Sequence, residues 1–132
     1  MNNKHTTCRA IIIKDNKILL MHRRKKGEEY WVFPGGHVDD GESAEEAMKR
    51  EIWEELSLRI IKLSKPYPYI HEFGTKEYYF ICEVEAGKAK LHSSGNEKSS
   101  QEDWYNPEWI DLSFARELEN LYPSRVADII KE

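Results

Sequence analysis

The stretch from Ser43 to Leu56 limits what this chain can fold into more than any other. Its residues are mostly good helix formers, with no Gly or Pro, and Ser43 is followed three positions later by Glu46. That is the pairing of a capping box, so the pattern predicts a helix over 43–56. At helical spacing Ala44, Met48, Ile52 and Leu56 share one stripe, expected to face a core, while Glu51, Glu54 and Glu55 form an adjoining acidic arc.

The flanking sequence reads as strands. Thr7 to Ile13 is rich in β-branched residues, Asp15-Asn16 offers a tight turn, and Ile18 to Met21 continues as a second strand. Arg23 to Glu29 reads as a charged loop, leading to the apolar run Tyr30 to Phe33 and a turn at Pro34-Gly35-Gly36. Beyond the helix, Lys76 to Glu85 has the β-formers of a sheet strand, a polar loop runs from Gly87 to Ser100, and Trp109 to Leu112 is a short strand. Ser113 is expected to cap a helix through about Leu121, and Pro123-Ser124 separates it from a last amphipathic helix over 125–131. No internal repeat or low-complexity tract interrupts this order.

A chain of 132 residues, 39% hydrophobic and 33% charged, is expected to fold as one domain, residues 1–132. The apolar stretch Ala10 to Ile13 is far short of a membrane span and lacks the flanks of a secretory signal, so a cytoplasmic protein without membrane association is expected. Cys8 and Cys82 have no metal-binding spacing and read as buried free thiols. The net charge of −4 is concentrated: eight acids and two bases between Asp39 and Glu55 make that segment −6 and leave the rest at +2. Such concentration suits a solvated helix face or a hard-cation site, and no basic stripe suggests a nucleic-acid polymer as partner.

The segment from Gly36 to Leu58 separates these two readings. Gly36, Glu42, Arg50, Glu51, Ile52, Glu54, Glu55 and Leu58 stand at eight of the nine fixed positions of the pattern Gly-X5-Glu-X7-Arg-Glu-U-X-Glu-Glu-X-Gly-U, where U is apolar and aliphatic. The segment resembles the Nudix box, and Phe33-Pro34-Gly35 is similar to the usual entry into it. The departure is Ser57, where the pattern has Gly after the helix. A left-handed cap there costs a non-Gly residue roughly 1 kcal/mol.

The chemistry of the residues agrees with this likeness. A phosphoanhydride repels an attacking water, and divalent cations screen that charge, polarise phosphoryl oxygens and acidify water. Carboxylates at i, i+3 and i+4 can converge on such ions, so Glu51, Glu54 and Glu55 are the candidate ligands of Mg2+ or Mn2+, with a backbone carbonyl from Gly35 or Gly36. Arg50 is expected to pair with Glu54 or to position Glu51. Glu42, read at the helix start, stabilises the helix dipole or supports the metal site.

The resemblance implies a Nudix fold, a mixed β-sheet in an α/β/α sandwich, over nearly the whole chain. It also implies hydrolysis of a nucleoside diphosphate linked to a group X by water attack. The general base is open among Glu51, Glu55 and the later-loop acid Glu102, preferred over Glu97 and Asp103. Arg23, Arg24, Lys25 and Lys26 are candidates for phosphate binding, and Tyr30, Tyr78, Trp104 and Tyr105 for base stacking, whereas Trp109 reads as structural. His37 has no sequence partner that marks it as catalytic. A small nucleotide-type molecule is the expected partner, and a homodimer is compatible with the family. Alternative readings are a nucleotide sensor without turnover and a relative acting on dinucleoside polyphosphates or nucleotide sugars. An isopentenyl diphosphate isomerase would need a catalytic Cys that neither Cys8 nor Cys82 resembles.

Overall fold

The first two strands alternate their side chains between two separate cores. In β1 (Thr6–Lys14), Cys8, Ala10 and Ile12 are buried on one face and Ile11 on the other; in β2 (Lys17–Lys25), Leu19 and Met21 oppose Ile18 and Leu20 in the same way. Strands buried on both sides belong to the middle layer of a sandwich. The computed structural model describes residues 6–70, 74–85 and 104–130. Asp15 and Asn16, both at positive φ, form the turn between β1 and β2, as the sequence predicts.

The charged stretch after β2 is not a loop. Only Lys26 and Gly27 turn, both at positive φ, and β3 (Glu28–Val32) pairs directly with β2 through Arg24↔Glu29 and Lys25↔Glu28. Opposite charges facing each other across two antiparallel strands favour the extended arms that a simple count of charged residues assigns to a loop.

After β4 (Gly35–His37), α1 (Ala44–Leu56) packs Ala47, Met48, Ile52 and Leu56 against the sheet, while Ala44 is only partly buried. Then follow β5 (Ile60–Leu63), β6 (Tyr67–Ile70), β7 (Lys76–Val84) and β8 (Trp104–Asp111). The short helix α2 (Leu112–Arg116) begins one residue before Ser113 and ends well before Leu121. Its N-cap is Asp111, with no side-chain cap bond, and the helix cannot extend to Leu121 because Leu121 and Tyr122 are drawn into β9 (Leu121–Tyr122) beside Trp31 and Val32. The last helix is α3 (Ser124–Ile130). The predicted polar loop 87–100 lies outside the described residues.

Helices cover both faces. Met48, Ile52 and Leu56 of α1 share a core with Phe80, Cys82 and Val84 of β7; Ala115, Val126, Ala127 and Ile130 of α2 and α3 share the other with Trp31, Phe33 and Tyr79. The result is the expected α/β/α arrangement around a mixed sheet. Cys8 and Cys82 are free and buried, and burial pushes both thiols up to about 12. Among the described residues no helix is long and apolar enough to cross a membrane.

The sheet forks. β1 and β2 pair only at Ile13↔Ile18 and Lys14↔Lys17. Beyond that point β1 continues with β7 and β4, and β2 continues with β3 and β8. The fork opens a cleft between the two arms, with Arg9 on one side and Arg23 on the other.

Candidate active site

The helix α1 is tightly specified at both ends. Ser43 Oγ accepts the Glu46 amide at 3.0 Å, and Glu46 Oε1 accepts the Ser43 amide at 2.9 Å, which completes the capping box. Ser57 adopts the left-handed cap with φ 57° and ψ 32°, and its N–H donates to the Trp53 carbonyl. The serine therefore holds the conformation for which the family pattern supplies glycine.

Arg50 organises the acidic flank. Its Nε and Nη2 grip both oxygens of Glu42 at 2.7 and 2.9 Å, its Nη1 donates to Glu51 at 3.0 Å and to Glu54 at 3.1 Å, and Nη2 also reaches the His37 carbonyl. Asp39 lies 3.4 Å away. Both expected partners of Arg50 are present, but the bidentate contact goes to Glu42. Glu42 itself precedes the cap residue and accepts the Asp39 amide, so its carboxyl is held below the usual range chiefly by Arg50, and its role is to anchor the arginine more than to meet the helix dipole. The His37 side chain is exposed; its contribution is the carbonyl.

The glycines permit a close approach. A Cβ on Gly36 would lie 2.3 Å from Glu51 Oε2, and one on Gly35 would lie 2.0 Å from the Cys8 carbonyl oxygen. The Glu51 carboxylate thus rests against the backbone of β4, beside the Gly36 carbonyl that accepts the Cys8 thiol at 3.6 Å. Glu55, one turn later, is half-buried. Burial first, and then the charge of Glu51, push its carboxyl up to about 7, against the opposing influence of Arg9 and Arg23. Glu54 is exposed. Although the three acids have the predicted helical spacing, no group of three His, Cys, Asp or Glu side chains among the described residues closes on a single point. Arg50 draws Glu51 and Glu54 to its own Nη1.

The alternation of β2 divides the predicted substrate residues. Arg23 lines the fork's cleft, of about 330 Å3, together with Arg9, Tyr30, Glu77, Tyr79 and Tyr122. Its guanidinium lies over the rings of Tyr30 and Tyr105, at 6.0 and 5.7 Å, and its Nε is buried without a hydrogen-bond partner among the described residues. Arg24 points to the opposite face, where it pairs with Glu29 and lies over Trp104. There Trp104 meets His22, which stacks on Trp31 at 4.0 Å. Tyr78 lies on the α1 side, under Lys76 and next to a separate hollow with Val38 and Glu42. Arg23 and Tyr30 are therefore brought together, and Arg24 and Tyr78 lie elsewhere. Trp109 packs partly buried against the α1 core, as a structural residue would. Glu97, Glu102 and Asp103 lie outside the described residues.

Sequence reasoning missed Arg9, Glu77, Tyr79 and Tyr122. The available signal was weak: Arg9 lies within the otherwise apolar run from Cys8 to Ile13, but Glu77 stands in a strand that also carries Lys76 and Glu83.

A family model for the NUDIX domain matches residues 4–125, and the chain belongs to the NUDIX family. Among curated proteins it is similar to the RNA pyrophosphohydrolase of Shewanella sp. (strain ANA-3), 30% identical over an alignment of 113 residues, with 72% of this chain and 65% of that one covered. The match thus spans just under two thirds of that relative's length. Among solved structures it is similar to a MutT NUDIX hydrolase from Burkholderia pseudomallei, at 26% identity and a TM-score of 0.63 over 92% of this chain and 93% of that one. A NUDIX-family hydrolase from Clostridium perfringens, at 17% identity, shares the fold with a TM-score of 0.71 over 98% and 94% of the two chains.

Proposed function

We propose that this chain is a Mg2+- or Mn2+-dependent pyrophosphohydrolase that cleaves the phosphoanhydride of a nucleoside diphosphate linked to a group X. One observation carries the reading: two carboxylates on successive turns of α1, Glu51 seated over Gly36 and Glu55 half-buried beside it, stand next to a cleft whose Arg23 has no carboxylate partner among the described residues. Buried like charges are costly without a counter-ion, and oxygen donors suit a hard divalent cation, so these residues fit the metal. Glu51, Glu54 and Glu55, with a backbone oxygen from Gly35 or Gly36, would hold it. When bound, the ion supplies charge screening, phosphoryl polarisation and a more acidic water.

The protein's own groups do the remaining work. Arg50, already fixed on Glu42, keeps Glu51 and Glu54 oriented. Arg23 offers its guanidinium to phosphate oxygens, and Tyr30 and Tyr122, edge to face at 6.2 Å, border the space where a base would stack. The general base is sought among Glu51, Glu55 and Glu102, and the place of Glu55, half-buried within the field of Arg9 and Arg23, favours it.

A second reading, pyrophosphate hydrolysis on RNA, has the support of the 30% identity to RNA pyrophosphohydrolases. One panel tests both: nucleoside triphosphates, dinucleoside polyphosphates, nucleotide sugars and 5′-triphosphorylated RNA, each with Mg2+ and Mn2+. The expected result is release of phosphate or pyrophosphate from at least one class. Tight nucleotide binding with no product from any class would overturn hydrolysis in favour of a sensor.

A further inference from the structure

The parallel pairing of β1 with β7 sets Thr7 opposite Glu77 and Arg9 opposite Tyr79. All four side chains meet on the face away from α1. Glu77 is the buried charged residue of the described core, 8% exposed, and it is surrounded by donors. Thr7 Oγ1 donates to Oε2 at 2.8 Å, Arg9 Nε donates to the same oxygen at 3.2 Å, and the Tyr79 hydroxyl donates to Oε1 at 2.8 Å. A carboxylate is expensive to bury in this way unless it is paired, and the pair offers no advantage over well-packed apolar residues for stability alone.

The pairing does fix Arg9. Nε is held by Glu77, and Nη1 donates to the Phe33 carbonyl at 3.4 Å, which ties the guanidinium to the end of β3 across the cleft. Nη2 makes no hydrogen bond to the described residues, and Arg9 lines the cleft. Across from it, Arg23 is held by tyrosine rings in place of a carboxylate. One cation from each arm of the fork therefore borders the same space, and the charges of both bear on Glu55.

We propose that Arg9 is a second phosphate-gripping cation of this cleft and that Glu77, which need touch no substrate, is the positioning residue that aims it. The proposal rests on reading the cleft as the substrate site. It assigns the anionic end of a nucleotide to the space between Arg9 and Arg23, where two planar guanidiniums can share a polyphosphate chain.

The test is a double-mutant cycle on binding. Calorimetry with Mg2+ and a GTP analogue carrying a methylene bridge between its α and β phosphates gives Kd for the wild type, Arg9→Met, Glu77→Leu and the double variant, with Tm alongside. Arg9→Met and Glu77→Leu are each expected to raise Kd about tenfold, and Glu77→Leu to add nothing once Arg9 is gone. Should Glu77→Leu fail to fold, Glu77→Gln, which keeps the shape and gives up the charge, takes its place with an expected rise of about threefold. No binding of this analogue by the wild type overturns the reading of the cleft as a nucleoside triphosphate site. Binding by the wild type that Arg9→Met leaves unchanged overturns the role of Arg9 alone. A Glu77 effect of equal size with and without Arg9 overturns the positioning role and leaves Glu77 a purely structural residue.

Discussion

Arg50 and Arg23 are both half-buried guanidiniums beside the same acidic helix, yet they are held in opposite ways. Arg50 is surrounded by the carboxylates of Asp39, Glu42, Glu51 and Glu54 and by the His37 carbonyl. Arg23 lies on aromatic faces, with its Nε buried and unbonded. The first has spent its donors on the protein and acts as a fixture. The second has no ion pair among the described residues, and in the proposed function it offers its charge to the substrate. Acids held in place by one arginine, facing a cleft with another outside any ion pair of the described residues, form the asymmetry on which the proposed binding of a polyanion through a cation rests.

The largest expected effect tests the acidic side. Glu54→Gln and Glu55→Gln should each lower kcat by at least ~100-fold with the fold intact, the scale expected when a metal-positioning group is lost. Steady-state kinetics and circular dichroism check this, and activity that survives both changes would refute the metal-helix mechanism. Arg50→Lys, which cannot reproduce the bidentate grip on Glu42, should weaken Mg2+ binding by about 10- to 100-fold in a calorimetric titration.

The contrast within β2 is sharper still. Arg23→Ala should raise KM about tenfold with kcat nearly unchanged, while Arg24→Ala, on the opposite face, should change KM by less than about twofold. Equal effects from the two would erase the distinction between cleft and far face.

The carboxyl of Glu55 adds a pH dependence. Because burial lifts its folded pKa to about 7, above the ordinary 4.5, the folded metal-free protein keeps a proton that the unfolded chain releases between those values. Stability contributed by the protonated form is therefore present at low pH and lost as pH rises toward 7, and Glu55→Gln should remove that slope from metal-free melting curves. Mg2+ affinity should run the other way, falling by up to about tenfold per pH unit below 7 as a proton competes for the carboxylate. The smallest effect is at the helix end: Ser57→Gly, relieving a left-handed serine, should stabilise the protein by roughly 1 kcal/mol, visible as a rise of a few degrees in Tm.

How far each of these features was legible in the sequence follows from how local its cause is. The capping box of Ser43 and Glu46, the apolar stripe of α1 and the left-handed Ser57 depend on neighbours within a few residues, and all three can be read from the chain. The hairpin at Lys26-Gly27 is hidden in the sequence because its charge suggests a loop, while the cross-strand partners Glu28 and Glu29 that make those charges favourable become apparent only with the register. The helix expected after Ser113 was cut short for a similar reason, since β9 forms only against β3. The cleft was the least legible part. Arg9 meets Glu77 across a parallel pairing of strands far apart in sequence, and Arg23 faces them only because the sheet forks after Ile18. Periodicity can assign Arg23 and Arg24 to opposite faces but does not say which face has the cleft.

Hydrolysis by water beside the α1 carboxylates is the central claim, and isotope labelling addresses it most directly. The protein would be incubated with Mg2+ and its preferred nucleotide in water enriched in oxygen-18, and the products weighed by mass spectrometry. One labelled oxygen in a phosphorylated product, dependent on the metal and abolished in Glu55→Gln, is the predicted result. Nucleotide bound tightly and recovered whole, with no label in any phosphate, would contradict it.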